Sequence, residues 1–439
     1  MKRDIYNKLI KWKVSNIRKP LILRGARQTG KTYILKEFGR REYQNVHYFN
    51  FEENPEILHF FKQNLDPKRI LADLALYRKQ TIAPEKDLII FDEIQNSNQA
   101  LTSLKYFCEE ANEYHVVSAG SLLGMKLSTP GSFPVGKVNF LNIFPLTFFE
   151  FLDAINESKY RQMLENIKTF DPLPVPFHEE LIRILRKYYF VGGMPEAVKH
   201  YAASLNYAEV RQIQKDIIIS YVLDFAKHTP VYDIPKLTLI WDSIPAQLAK
   251  DNKKFIYSSL KSGARAREYE NALSWLDDVG LIYRVSAIEN SQLPLTQYAI
   301  KTCFKVYCLD VGLLGALAKI SEDMIVRGNL LFNEYKGAFV ENYVAQQLTA
   351  VLGREMYYWR SKNAKAEVDF LCEINANIYP LEVKAGVNPK SKSLKAYADR
   401  FNPPNLVRTT LLNLKRDGAV CNIPLYAITL FPQLIQQAI

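Results

Sequence analysis

The chain has 439 residues, too long for a single compact core and enough for roughly three domains of ordinary size. With 48% hydrophobic and 23% charged residues its composition is globular, which excludes extended disorder, and no apolar run approaches the ~20 residues that span a bilayer. A formal net charge of +11 favours a phosphate-rich or polyanionic partner, while five scattered cysteines without the paired spacing of a zinc site or disulfide framework point to a reducing cytoplasm and no membrane insertion.

In chain order, the first buried-strand run is Pro20 to Arg24, and it leads into Gly25, Ala26, Arg27, Gln28, Thr29, Gly30, Lys31 and Thr32. These eight residues complete the P-loop pattern G-x-x-x-x-G-K-[ST]. Ile34, Leu35 and Phe38 then come at helical spacing, so the strand, loop and helix context is present on both sides. Glycines let the backbone N–H groups face phosphates at a helix N-terminus, Lys31 reaches the β- and γ-phosphates, and the Thr32 hydroxyl ligates Mg²⁺. The expected ligands are therefore ATP and Mg²⁺, with Arg27 as an additional phosphate contact. A second strand run, Leu88 to Phe91, ends in Asp92 and Glu93. Two acids at a strand's carboxyl end suit the metal and water chemistry of such a site: Asp92 holds Mg²⁺ and Glu93 polarises the attacking water. Val46 to Phe51 and Tyr114 to Ser118 are further strand-like runs, so residues 1–150 read as alternating βα units with a parallel sheet. Ser118 and Ser121 place hydroxyls after the last run, and Ser121 is the candidate γ-phosphate sensor.

Arg24 to Thr32, Phe91 to Gln95, Ala119 to Ser121, Phe144 to Glu150 and Gly192 to Glu196 together resemble the prokaryotic AAA-like ATPases that carry a nuclease-like C-terminal domain, archaeal-type proteins similar to the STAND and AAA+ groups. This resemblance covers most of the chain and implies an α/β P-loop NTPase core over 1–150, a helical lid over 151–247, a winged helix over 248–300 and an α/β nuclease-like domain over 301–439. One position departs from the pattern: Lys137 stands where an arginine is often found, and lysine lacks the planar fork of an arginine finger.

Phe151 to Gln247 is mainly helical in pattern, with Leu181, Ile182, Ile184 and Leu185 on overlapping faces and a break at Gly192 and Gly193 before Pro195. Phe255 to Val285 resembles a winged helix, in which Arg265 and Arg267 stand near the start of the expected second helix, where phosphate contacts are made. In the last segment Ala366 to Ile374 alternates as a strand, Asn375 and Ala376 form a two-residue turn, and Asn377 to Lys384 returns. That register sets Asp369 opposite Glu382, with Lys384 on the face of Glu382. The Asp…Glu-x-Lys arrangement resembles the PD-(D/E)xK nucleases, which implies a divalent metal held by Asp369, Glu382 and an acid of an earlier helix, here Glu341, with Lys384 in the catalytic set. Eight Lys or Arg between Lys384 and Arg416 face one acid, Asp399. The three blocks in order point to an ATPase whose nucleotide state repositions a winged helix and a nuclease-like domain on DNA or other nucleic acid. The alternative is a nucleotide-dependent molecular switch without nuclease activity, acting on a protein partner or within a homo-oligomer.

Overall fold

The computed structural model describes every residue except 121–132, 230, 251–252, 322–335, 387–391 and 438–439. The chain divides into two compact units, one of residues 2–144 with 278–280 and one of residues 145–277 with 281–439.

The first unit is the expected parallel α/β layer. Strands β1 (Leu21–Arg24), β2 (Asn45–Asn50), β3 (Asp87–Asp92), β4 (His115–Gly120) and β5 (Asn139–Asn142) form one sheet in the order β2-β3-β4-β1-β5, parallel throughout. Successive strand residues point to opposite faces. Leu21 and Leu23 of β1 with Leu88 and Ile90 of β3 enter one core, which holds Leu9, Ile34 and Phe38 of the helices Ile5–Lys13 and Lys31–Glu42. Ile22, Ile89 and Phe91 enter the other, with Phe61, Ile70 and Phe107. Both faces are covered, which is why β1 and β3 read as near-continuous apolar runs rather than alternating ones. Strand β5, four residues with alternating burial, had no such signal.

The second unit begins with the helices Phe148–Ala154, Ser158–Glu165, Val175–Val191, Pro195–Ser204, Tyr207–His228 and Ile234–Leu248, which agrees with the helical pattern expected over 151–247. The segments Phe144 to Glu150 and Gly192 to Glu196 meet here as structural devices. Thr147 and Glu150 close a capping box on the first of these helices. The Leu146 N–H donates to the Gly193 carbonyl at 2.6 Å, and a Cβ on Gly193 would overlap the Leu146 backbone, so only glycine permits this approach. Asp310, fully buried, accepts from the Gly193 N–H at 2.5 Å, the Leu313 N–H at 3.0 Å and Gln346 Nε2 at 3.0 Å.

The same unit contains an eight-stranded mixed sheet. Strands β6 (Ile282–Ile288), β7 (Ala299–Cys308), β8 (Tyr357–Arg360), β9 (Glu367–Ile374), β10 (Asn377–Val383), β11 (Leu406–Thr410), β12 (Lys415–Asp417) and β13 (Val420–Pro424) lie in the order β12-β13-β11-β10-β9-β8-β6-β7. The helix Ala266–Asp278 and strand β6 lie in the segment expected to be a winged helix, and β6 pairs antiparallel with β7, which begins at the end of that segment. They are not set apart from the C-terminal strands, however. The boundary expected at residue 300 falls inside β7, β6 pairs in parallel with β8, and Ile288 and Leu295 share a core with Trp359, Val368, Leu371 and Tyr397. Local periodicity marks these strands but carries no information on which sheet they join. The turn at Asn375 and Ala376 has φ of 49° and 59°, the left-handed pair that suits a two-residue hairpin. Among the described residues no helix is long and apolar enough to cross a membrane.

Candidate nucleotide site and a second acidic cluster

In the first unit, β1 delivers the chain to the P-loop and the helix Lys31–Glu42 begins within it, with Gly30 as its N-cap at φ 91°. A side chain at that angle would be strained, so the turn demands glycine. The Lys31 ammonium is buried and folded back onto the loop, donating to the carbonyls of Gly25 at 3.0 Å and Ala26 at 2.9 Å. Burial pushes its pKa down to about 8, against the attraction of Glu93 and Asp92. Thr32 Oγ1 donates to Asp92 Oδ2 at 2.7 Å, so the P-loop hydroxyl and the β3 carboxylate meet as expected. Glu93 comes next in a left-handed conformation, φ 52°, and its carboxylate accepts from Gln95 Nε2.

Three supporting residues had no sequence signal or only a faint one. Arg3 donates to the Thr29 carbonyl at 3.0 Å and the Phe144 carbonyl at 2.6 Å, tying the loop to the N-terminal segment. Tyr48 donates its hydroxyl to Asp92 Oδ2 at 2.8 Å, and burial together with that carboxylate pushes the phenol pKa well above its ordinary value, so the group remains a donor. Gln95 was legible only as part of the Asp-Glu-Ile-Gln run. Ser118 is fully buried in β4. Ser121, the candidate sensor, lies outside the described residues. Lys137 pairs with Glu109 at 2.8 Å within this unit.

The donors at Thr32 and Asp92 are oxygens, the type a hard divalent cation prefers, and they converge at the carboxyl edge of a parallel sheet. The residues present therefore fit Mg²⁺ held with a triphosphate.

The second cluster lies on the eight-stranded sheet and the helix Lys336–Leu352. The β9–β10 register runs to Leu381 against Phe370, which makes Glu382 and Asp369 the next opposed pair, as expected. Asp369 Oδ2 accepts from the Val383 N–H at 2.8 Å. Glu341 is buried on the helix and accepts from Tyr307 at 3.1 Å and from Lys253. At the centre stands Lys305, 1% exposed, its Nζ 2.6 Å from Glu367, 3.7 Å from Glu341 and 3.7 Å from Asp369. Glu382 pairs instead with Lys384 at 2.6 Å. Burial works to raise the Glu341 pKa, but Lys305 and Lys253 hold it below the usual carboxylate value. For Asp369, burial and the neighbouring Glu341 prevail over Lys305 and push the carboxyl up to about 7. The Lys305 pKa is raised in spite of burial, by Glu341, Asp369 and Glu367.

A divalent ion requires several oxygen ligands at ~2.0–2.6 Å. Here an ammonium faces Glu341 and Asp369 together, Glu382 is paired with Lys384, and among the described residues no group of three or more His, Cys, Asp or Glu side chains is disposed to hold a metal. The arrangement does not fit the metal role expected for Glu341, Asp369 and Glu382, because a lysine three strands away in the sheet supplies the positive charge. The basic run after Lys384 is also partly neutralised: Asp417 pairs with Lys415 at 3.0 Å and Arg408 at 3.9 Å.

Comparison with known proteins agrees with the first unit. Residues 17–152 match the family described as "AAA domain", residues 182–324 match "Domain of unknown function (DUF8612)" and residues 336–428 match "Domain of unknown function (DUF4143)". An uncharacterized protein of Mycobacterium tuberculosis is 33% identical over 94 residues, 21% of this chain and 20% of that protein, and one of Mycobacterium bovis matches to the same extent. The chain thus matches about a fifth of the length of these relatives. Among solved structures, a Walker-type ATPase of Pyrococcus abyssi is 14% identical, with 72% of this chain and 95% of that chain covered and a TM-score of 0.45. The Aeropyrum pernix ORC1 protein in complex with DNA is 15% identical, with 74% and 92% covered and a TM-score of 0.28. The Thermotoga maritima RuvB Holliday junction branch migration motor is 13% identical, with 67% and 90% covered and a TM-score of 0.28. With the complete phosphate loop and the Thr32–Asp92 contact in place, residues 17–152 form a P-loop domain that matches the AAA-domain family.

Proposed function

We propose that the chain binds ATP with Mg²⁺ at Gly25 to Thr32, hydrolyses it with Asp92 and Glu93, and couples nucleotide state to nucleic-acid binding by its second unit. The observation that carries hydrolysis is the 2.7 Å contact between Thr32 and Asp92, with Lys31 buried in the adjoining loop. Lys31 would exchange its two carbonyl partners for phosphate oxygens, whose negative charge favours the ammonium against the burial that lowers its pKa. Thr32 and Asp92 hold the cation, which when bound neutralises charge on the phosphate oxygens. Glu93 orients and polarises water, and Gln95 holds the Glu93 carboxylate in place. Tyr48 and Arg3 fix the Asp92 carboxylate and the loop, so little reorganisation accompanies the reaction.

Nucleic-acid binding is supported by an open groove of about 960 Å³ in the second unit, edged by Lys254, Arg267 and Lys301 and floored by Phe255 and Phe304. Arg265 and Arg267 are exposed at the start of the helix Ala266–Asp278. Phosphate contacts from such groups weaken as counterions compete. The test is ATP turnover of the wild type and Lys31→Ala with and without single- and double-stranded DNA at two salt concentrations. A DNA-stimulated rate that falls with salt and vanishes in Lys31→Ala supports the reading, whereas nucleotide retention with negligible turnover and no DNA binding replaces it with the switch acting on a protein partner. The pairing of Lys305 with the acids of the second cluster favours binding over cleavage in either case.

A further inference from the structure

The second cluster carries a nuclease-like set of residues, Glu341, Asp369, Glu382 and Lys384, in the register such a site needs, yet its acids already have cations. Lys305 belongs to none of the motifs. It sits on β7, is almost wholly buried, and reaches Glu341, Glu367 and Asp369 at 3.7, 2.6 and 3.7 Å, while its Nζ also stands 4.9 Å from the centre of the Tyr358 ring. Bringing an ammonium to such a depth is costly unless opposite charge and hydrogen bonds surround it. Three carboxylates do so here, and the same three would otherwise repel one another across a desolvated space. The site therefore has its balancing charge built into the chain.

We propose that the Lys305 ammonium is a covalently attached replacement for the divalent cation of this constellation, so that the C-terminal domain keeps the architecture of a metal-dependent phosphodiesterase but neither takes up a divalent ion there nor cleaves with one. Two further features agree. Lys253 bonds Glu341 through its other carboxylate oxygen, and Lys384 pairs with Glu382 at 2.6 Å. A cation entering between Glu341 and Asp369 must displace an ammonium that cannot diffuse away, and the displaced charge would be left buried against the Tyr358 ring. This replacement depends on the geometry of the second unit alone and is independent of ATP hydrolysis at Lys31.

The experiment is a Mn²⁺ titration of the nucleotide-free full chain, monitored by the electron paramagnetic resonance signal of free Mn²⁺. Wild type and Asp369→Asn are expected to give the same isotherm, because no ion binds at the cluster. Lys305→Gln is expected to take up one additional Mn²⁺ per chain, and adding Asp369→Asn to that variant should abolish the gain. Should Lys305→Gln fail to fold by circular dichroism, Lys305→Gln with Glu367→Gln, which removes one charge of each sign, serves in its place. A folded lysine variant that gains no Mn²⁺ overturns the proposal. So does a wild-type Mn²⁺ site that Asp369→Asn removes, and this last comparison decides the matter even if no lysine variant folds. ATP turnover measured on the same wild-type sample reports on the nucleotide site separately.

Discussion

Two strands of this chain present acids in motif-like settings, Asp92 at the end of β3 and Asp369 in β9, and their surroundings differ in the origin of the positive charge. Around Asp92 the partners are neutral donors, the hydroxyls of Thr32 and Tyr48 at 2.7 and 2.8 Å, and the nearby Lys31 is occupied with loop carbonyls. Around Asp369 and Glu341 the partners are lysines that belong to the fold. In the proposed reading the first arrangement gains its cation and its phosphates from solution, whereas the second is complete without them. A carboxylate pattern in a sequence therefore specifies a metal site only when the tertiary structure leaves the carboxylates without an internal cation.

The contrast can be tested at four depths. The largest effect is expected for Glu341→Ala, which takes the carboxylate partner from Lys253 and one of the three acids from around buried Lys305; breaking buried pairs in this way should cost about 3–5 kcal/mol in urea unfolding. A stability change near zero would mean that Glu341 is not needed as a partner and would revive the metal role. In the first unit the cost should instead fall on function: Lys31→Ala is expected to lower ATP turnover by ~10²–10³-fold, the range for losing one donor that stabilises developing charge, with melting temperature little altered. Steady-state turnover and thermal melts on the same preparation distinguish the two outcomes.

An intermediate effect concerns His115, buried in β4 with its Nδ1 2.7 Å from the Tyr43 hydroxyl. Burial, with Arg18 and Lys13 nearby, pushes its pKa down to about 4. Between that value and the ordinary ~6.5 the unfolded chain binds the proton and the folded chain does not, so stability is full above pH 6.5 and falls as pH drops toward 4. The first unit should lose about 2 kcal/mol by pH 5, and a His115→Gln variant should lack this part of the slope in urea melts at stepped pH. The smallest effect is expected at Glu37, whose pairs with Arg40 at 3.0 Å and Arg41 at 2.5 Å sit on the surface. Glu37→Gln should change unfolding free energy by less than ~0.5 kcal/mol; a larger loss would show that exposed pairs in this protein act like the buried ones at Lys305.

The legibility of the two sites differs for a physical reason. The P-loop, its flanking strand and helix, Thr32 and Lys31 lie in the one continuous segment from Leu21 to Glu42, and local backbone geometry decides what those side chains can do. The β9–β10 hairpin was equally readable, because alternation and a two-residue turn set its register. Nothing local marked Arg3 or Tyr48, which reach the nucleotide site from 26 residues before Thr29 and 44 before Asp92.

From its sequence alone the protein is an α/β chain with a phosphate-binding loop, a strand-end Asp-Glu pair, a helical middle and a motif-bearing hairpin, since each of these is set by short-range sterics and periodicity. Tertiary structure alone decided that β6 and β7 join the sheet of β8 to β13, that Gly193 and Asp310 lock the helical region, and that Lys305 stands among three acids. Contacts of that kind depend on which strands become neighbours, a choice made by the burial of the whole sheet and not by any segment of it.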